Sequence, residues 1–271
     1  MMKKLPVAAL GIIIIPAVLL AIYLFLPGSG PASTGGRLIA TAEAGDRDAQ
    51  FSLGSIYYHG IGTTQDYAES VKWFRMAAEG GHTDAQYKLG VIYSLGYGIE
   101  QDYTEAVKWF RMAAEQGDVF AQYDLGEIYH QGRGVPQNSQ QAVQWWTKAA
   151  EQEHLPAMSV LGTVYRDGKG VNQNQRTAAR WFRMAADRGD TEAMFDLGRI
   201  YLNERGVMKN DAEAAKWIKK AAEQGHVPAQ YALSFLYAYG RGVEQNGAKA
   251  KKWYTRAVEE GGFKPPPSTA P

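Results

Sequence analysis

The stretch Leu89-Gly90-Val91-Ile92-Tyr93, followed by Ala106-Val107-Lys108-Trp109-Phe110-Arg111-Met112-Ala113-Ala114, decides how this chain is read. Shifted by 36 residues in either direction, its columns return: Trp at 73, 109, 145, 181, 217 and 253, and Ala at 49, 85, 121, 157, 193 and 229. Leu recurs from 53 to 233, Tyr from 57 to 237 and Gly from 62 to 242 at the same step. Six copies without an insertion mean one supersecondary unit stacked on itself, because so short a unit cannot bury its apolar face alone. The copies run 46–81, 82–117, 118–153, 154–189, 190–225 and 226–261, and residues 37–45 align with the end of a further unit, a half-repeat.

Within a copy, Ala49, Leu53, Ile56 and Tyr57 fall at i, i+4, i+7 and i+8, one face of a helix, here called helix A. A second helix, B, carries Trp73, Phe74, Ala77 and Ala78. Asp66, Asp102, Asn138, Asn174, Asn210 and Asn246 stand where helix B begins, and are good N-caps. Glu69, Glu105, Gln141 and Glu213 follow three residues later, which predicts reciprocal capping boxes in four copies. Gly81, Gly117, Gly189, Gly225 and Gly261 end helix B, where a residue tolerant of positive φ is needed. Pro156 and Pro228 sit in the first turn of helix A, where a missing N–H does no harm. Of 30 Gly, 22 fall in four such columns, so the glycine content reports turns rather than flexibility.

Leu89-Gly90-x-x-Tyr93 with Ala106-x-x-x-Phe110 is similar to the tetratricopeptide pattern, with a longer loop. Together with Gly60-x-Gly62 and the Trp-aromatic-x-x-Ala-Ala of helix B, it resembles the Sel1-like repeat family over about residues 37–261. The resemblance implies an all-α fold, an α/α solenoid forming a right-handed superhelix of helix pairs, and a role in binding proteins or assembling complexes. Three positions depart from the pattern: Glu153 for the terminal Gly, Glu204 for the first loop Gly and Ser234 for the Leu-Gly glycine.

Ahead of the repeats, Leu5 to Leu26 is an uncharged run of 22 residues after Lys3 and Lys4. As a helix it would reach about 33 Å, enough for a hydrocarbon core of about 30 Å. Residues 1–26 therefore read as an N-terminal transmembrane anchor, with a cleaved signal peptide as the alternative. Residues 27–36 read as a flexible linker and 262–271 as a disordered tail. Either N-terminal reading exports the repeats, to the periplasmic side of the inner membrane if the source is bacterial.

Composition narrows the functional classes. With 29 Lys+Arg against 28 Asp+Glu there is no basic excess for nucleic acid. No Cys is present, which removes thiolate catalysis and thiolate metal sites. His82, His154 and His226 share a column two repeats apart, too far to share an ion, and His59 and His130 lack partners at i+3 or i+4. No metal, cofactor or catalytic constellation is predicted, and the chain reads as a non-enzyme. The Gly-x-Gly loops follow helix A rather than a strand and read as turns, not phosphate cradles. The Trp column reads as core between neighbouring units. Helix B acids such as Glu79 and Glu115, interspersed with Lys72, Arg75, Lys108 and Arg111, read as a solvated face.

Positions that the repeat leaves variable carry the functional signal. Positions two, six and nine after the helix A Ala point away from its core face and line the concave side of tetratricopeptide-like solenoids. They predict a partner-binding groove of Tyr87, Tyr123, Glu127, His130, Arg166, Phe195, Arg199 and Tyr231, with the aromatics equally readable as repeat packing. The expectation is a cell-envelope scaffold gripping a peptide or partner protein; binding of an envelope glycan is the alternative.

Overall fold

A computed structural model describes residues 34–203 and 208–262. The anchor assigned to 1–26, most of the linker, Glu204 and the tail beyond Gly262 lie outside the described residues. Among the described residues every element is helical, and no helix is long and apolar enough to cross a membrane.

The half-repeat is α1 (Thr34–Glu43). Helices A are α2 (Arg47–His59), α4 (Thr83–Leu95), α6 (Val119–Gln131), α8 (Leu155–Asp167), α10 (Thr191–Leu202) and α12 (Val227–Tyr239). Helices B are α3 (Tyr67–Glu79), α5 (Tyr103–Glu115), α7 (Ser139–Glu151), α9 (Gln175–Asp187), α11 (Asp211–Glu223) and α13 (Gly247–Thr255), the last continued by a π-turn at Arg256–Glu260. The chain divides into two compact units, residues 1–137 and 138–271.

In the first unit α1 packs on α2, α3 on α4 and α5 on α6, while α2 with α3 and α4 with α5 form the pairs within repeats. Trp109 joins Val71, Phe74, Ala77, Ala85 and Leu89 in one buried cluster, so the Trp side chain is core between successive repeats as its periodicity predicts. In the second unit the same alternation runs from α7 to α13, with Trp181, Trp217, Phe182 and Ile218 buried.

The Leu-Gly glycines exist because helix A lies against the helix B ring of its own repeat. A methyl group on Gly90 would sit 2.5 Å from Cδ1 of Phe110, and one on Gly54 2.5 Å from Cδ1 of Phe74. Gly162 faces Phe182 and Gly198 faces Ile218 in the same way. Ser234 occupies this column without breaking α12; its hydroxyl donates to the Tyr231 carbonyl at 2.7 Å.

Both loop glycines are turn residues. Gly60, Gly96, Gly132, Gly168 and Gly240 are left-handed C-caps of helix A. The second loop glycine lies against the first residue of the preceding repeat's helix B: a Cβ on Gly98 would meet Tyr67 Cβ at 2.3 Å, and one on Gly170 would meet Ser139 Cβ at 2.0 Å. After helix B the left-handed residues are Gly45, Gly81, Gly117, Gly189 and Gly225, at φ 86–98°, and Glu153 is left-handed too, at φ 65°. The sixth copy differs from expectation: Gly261 has φ −88° and Gly262 carries the positive φ, because the π-turn adds a residue to the last helix.

All six helix B caps accept from an amide of the first turn, as with Asp66 from the Glu69 N–H at 2.9 Å. The reciprocal half of the capping box does not form at Asp66, Asp102 or Asn210. The backbone N–H of Asp66, Asp102, Asn174, Asn210 and Asn246 donates instead to the helix A tyrosine carbonyl nine residues back, at 2.8–3.0 Å. Glu69 and Glu105 turn outward to Lys72 and Lys108, exposed pairs at 2.6 and 2.7 Å. Arg75 and Arg111 are not merely solvated either; they donate to the hydroxyls of Tyr93 and Tyr129 on the next helix A.

Phe110 is only 2% exposed and has no room to swing away. Gly90→Ala should therefore cost about 1–3 kcal/mol by overpacking. Chemical denaturation checks this: a fall in midpoint at unchanged slope is the expected result.

Candidate functional site

Each helix A follows a residue of one column: Asp46, His82, Asp118, His154, Asp190 and His226. The aspartates and two of the histidines accept the amide three residues on, His226 through Nδ1 from Ala229 at 3.1 Å; His154 makes no such bond. His82 and His226 are thus structural caps, and they carry the neighbouring aromatics with them. Phe51 stacks on the His82 ring at 4.4 Å, and Phe195 packs on His226 at 4.8 Å, while His226 Nε2 meets Glu192 at 2.8 Å. The part of the aromatic column that Phe195 represents is therefore repeat packing.

In the first unit, the structure brings Tyr87, Tyr123 and Glu127 together around a residue the sequence analysis passed over, Asp124. Tyr87 packs against Phe110 at 5.7 Å and Phe120 at 6.0 Å and hydrogen-bonds the Asp124 carboxyl. Burial, chiefly, pushes that carboxyl up to about 7, against the Tyr87 hydrogen bond, which favours the ionised form; the charge of Glu127 adds to the rise. Burial also raises Glu127, which accepts from Gln131 at 3.0 Å and has His130 close enough to oppose the shift. Tyr123 is raised by burial and then by the charges of Glu127 and Asp124. This face of α4 and α6 is a crowded, acidic, tyrosine-walled surface.

In the second unit, Arg166 and Arg199 converge on Asp196, again a residue outside the predicted stripe. Asp196 is 4% exposed. It accepts from Arg166 Nη1 and from Arg199 Nη1, the latter at 3.3 Å. Burial raises its carboxyl although both guanidiniums oppose the shift. Arg166 is held from the other side by Asp167, Nε to Oδ1 at 2.7 Å. These four line a polar cleft of about 420 Å³ with Gln173, Gln175, Ile200 and Asn203. Phe195 lies 5.7 Å beneath the Arg199 guanidinium but does not line the cleft. Tyr231 belongs elsewhere, in an aromatic group with Phe235 at 4.9 Å and Tyr254 at 6.0 Å.

The Sel1 repeat model matches residues 47–82, 83–118, 119–154, 155–190, 191–226 and 227–262, one residue later in register than the boundaries read from the sequence. The chain belongs to the Sel1 repeat family. This Sel1 repeat protein is similar to a protective antigen of uropathogenic Escherichia coli with the same fold, at 37% identity and a TM-score of 0.75. That match covers 83% of the chain but 48% of the antigen, so the chain spans about half its length. A Sel1 repeat protein from Oxalobacter formigenes is 32% identical with a TM-score of 0.62, over 83% of this chain and 98% of that one. A search of curated proteins finds no match. Sel1 repeat proteins are in general protein–protein interaction scaffolds.

Asp124 and Asp196 share the third position after the helix A Ala, where the other copies have Ser52, Lys88, Val160 and Ala232. Its variability was the available signal, and a window fixed on the opposite face hid it. A second column, Gln50, Gln86, Gln122 and Gln230, donates to a carbonyl near the end of the preceding helix, as from Gln86 to Ala78 at 3.0 Å. It is bonding between repeats that periodicity alone did not reveal.

The raised carboxyl of Asp124 has a testable sign. A group whose folded-state value lies above its unfolded value contributes stability below the unfolded value, near 4, and loses it as pH rises through about 7. Asp124→Asn should leave stability near pH 4 little changed and raise it by roughly 1–3 kcal/mol at pH 8. Urea unfolding at both pH values measures the difference.

Proposed function

We infer that this Sel1 repeat protein is a non-catalytic scaffold that binds a peptide or partner protein across the helix A surface, and that its N-terminal segment tethers the repeats to a membrane on the exported side. One observation carries the reading. Against a frame in which caps, glycines and core aromatics recur at a fixed step, the chemistry-bearing differences gather on helix A: Asp124 with Glu127 on α6, and Asp196 with Arg199 on α10. A solenoid has no packing reason to vary these positions, whereas recognition of one partner does. The exported side rests on the uncharged run Leu5–Leu26 behind Lys3 and Lys4. A tether of that kind raises the effective concentration of the groove near membrane partners.

Envelope glycan is a second reading, favoured by one feature. Phe235 and Tyr239 stack at 6.2 Å beside Tyr231, and Tyr239 is 71% exposed, a surface suited to the face of a sugar ring. Retention on purified envelope glycan that is lost with Tyr239→Ala would favour it.

The scaffold reading is tested in intact cells with a photoreactive residue at position 127 and, as control, at position 112 on helix B. A partner crosslinked from 127 but not from 112, and lost with Tyr87→Ala plus Tyr123→Ala at unchanged helicity, is the expected result. Equal crosslinking from both positions, or capture indifferent to the double substitution, overturns it.

A further inference from the structure

The cleft of the second unit deepens this reading, on which it rests: we propose that Arg199 receives a carboxylate of the bound peptide, with Arg166 and Asp196 as the fixed wall behind it. The two arginines are not equivalent. Arg166 spends Nε and Nη2 on Asp167 and Nη1 on Asp196, and its side chain is 26% exposed. The Arg199 side chain makes one hydrogen bond among the described residues, to Asp196, lies over the Phe195 ring and is 56% exposed. One guanidinium is therefore immobilised, while the other presents Nε and Nη2, a planar fork matched to a carboxylate.

The amides around them are already oriented. Gln173 and Gln175 donate Nε2 to the Arg166 carbonyl at 2.7 and 3.0 Å, and Asn203 donates Nδ2 to the Arg199 carbonyl at 3.0 Å. Each keeps its oxygen as an acceptor. A fork of N–H donors beside amide oxygens is complementary to a carboxylate with a peptide N–H next to it. Charge selects within the anions: Arg166, Arg199 and Lys169, whose Nζ meets Asp167 at 3.2 Å, face Asp167 and Asp196, so the cleft carries one excess positive charge before binding. A monoanionic carboxylate neutralises that excess, whereas a phosphate dianion leaves the cleft with a net negative charge.

The cleft also has a local cause. Helix A ends in a left-handed glycine at Gly168, and a Cβ there would lie 3.1 Å from Gln173 Cβ, so the chain doubles back tightly. At α10 the cap is Asn203 in extended conformation, φ −108°, and the helix has 12 residues against 13 in α8. The cleft thus lies at the end of the shorter helix, beside Arg199 and Asn203.

The test uses the full-length chain, following the Arg199 side-chain signals by nuclear magnetic resonance during titration with short capped peptides. The probes are acetyl-Ala-Glu-Ala-amide, its Gln counterpart, acetyl-Ala-Ala with a free C-terminal carboxylate, and the same peptide amidated. Saturable shifts with one or both carboxylate probes, at least about tenfold weaker with the amides and with Arg199→Gln, and partly restored by Arg199→Lys, support the proposal. The stronger carboxylate probe identifies the source as side chain or chain terminus. Equal response to amides, indifference to Arg199→Gln, or tighter binding of inorganic phosphate overturns it. The readout is separate from capture at residue 127: carboxylate binding without cellular capture keeps the pocket and removes the scaffold role, and capture without carboxylate binding does the reverse.

Discussion

The contact between a helix A backbone and a helix B ring, at Gly54 on Phe74, Gly90 on Phe110 and Gly162 on Phe182, is what the remaining features lean on. A side chain in that column would push the pair apart, and each repeat would lose the close fit that buries its Trp and Ala columns against the next. Because the pair distance is fixed by a ring against a bare Cα, the loops must end each helix in the same place. The N-cap amide can then reach the same tyrosine carbonyl in every described case. This reach explains why the returning glutamates are idle as caps: the donor they would satisfy is already bonded, and Lys72 and Lys108 take them instead.

A frame this regular confines chemistry to positions that do not touch it. Asp124 and Asp196 show how. Both sit one turn from consensus core residues on helix A, close enough to be desolvated, and each is answered differently: Asp124 by Tyr87 and a raised affinity for a proton, Asp196 by two guanidiniums. One position in the repeat thus supplies a protonatable site in the first unit and an ion cluster in the second.

The fold was largely legible in the sequence because periodicity reports packing. Trp, Ala, Leu and Gly columns were enough to anticipate the repeated helix pairs, the helix B caps and the loop turns. The candidate site was legible in part. Arg166 and Arg199 were singled out as variable polar residues, but their meeting on Asp196 depends on a reach of thirty residues between the helices A of neighbouring repeats, which no single column contains. His82 and His226 were read against metal chemistry, yet their alternation with Asp46, Asp118 and Asp190 marks a capping position. Glu153 shows the opposite limit: its left-handed backbone follows from the place it holds in the repeat rather than from its own residue type.

The second loop glycine has a direction built into it. Gly98 lies on Tyr67, Gly134 on Tyr103, Gly170 on Ser139 and Gly242 on Asp211, so each of these turns is moulded against the repeat synthesised before it. A nascent chain emerging N-terminus first has the mould ready when the turn arrives. Loss of repeats from the C-terminal end leaves every earlier turn supported, whereas loss from the N-terminal end strips the support from the first turn that remains. Such an array has a grain, and lengthening or shortening by gene duplication is structurally cheaper at one end than at the other.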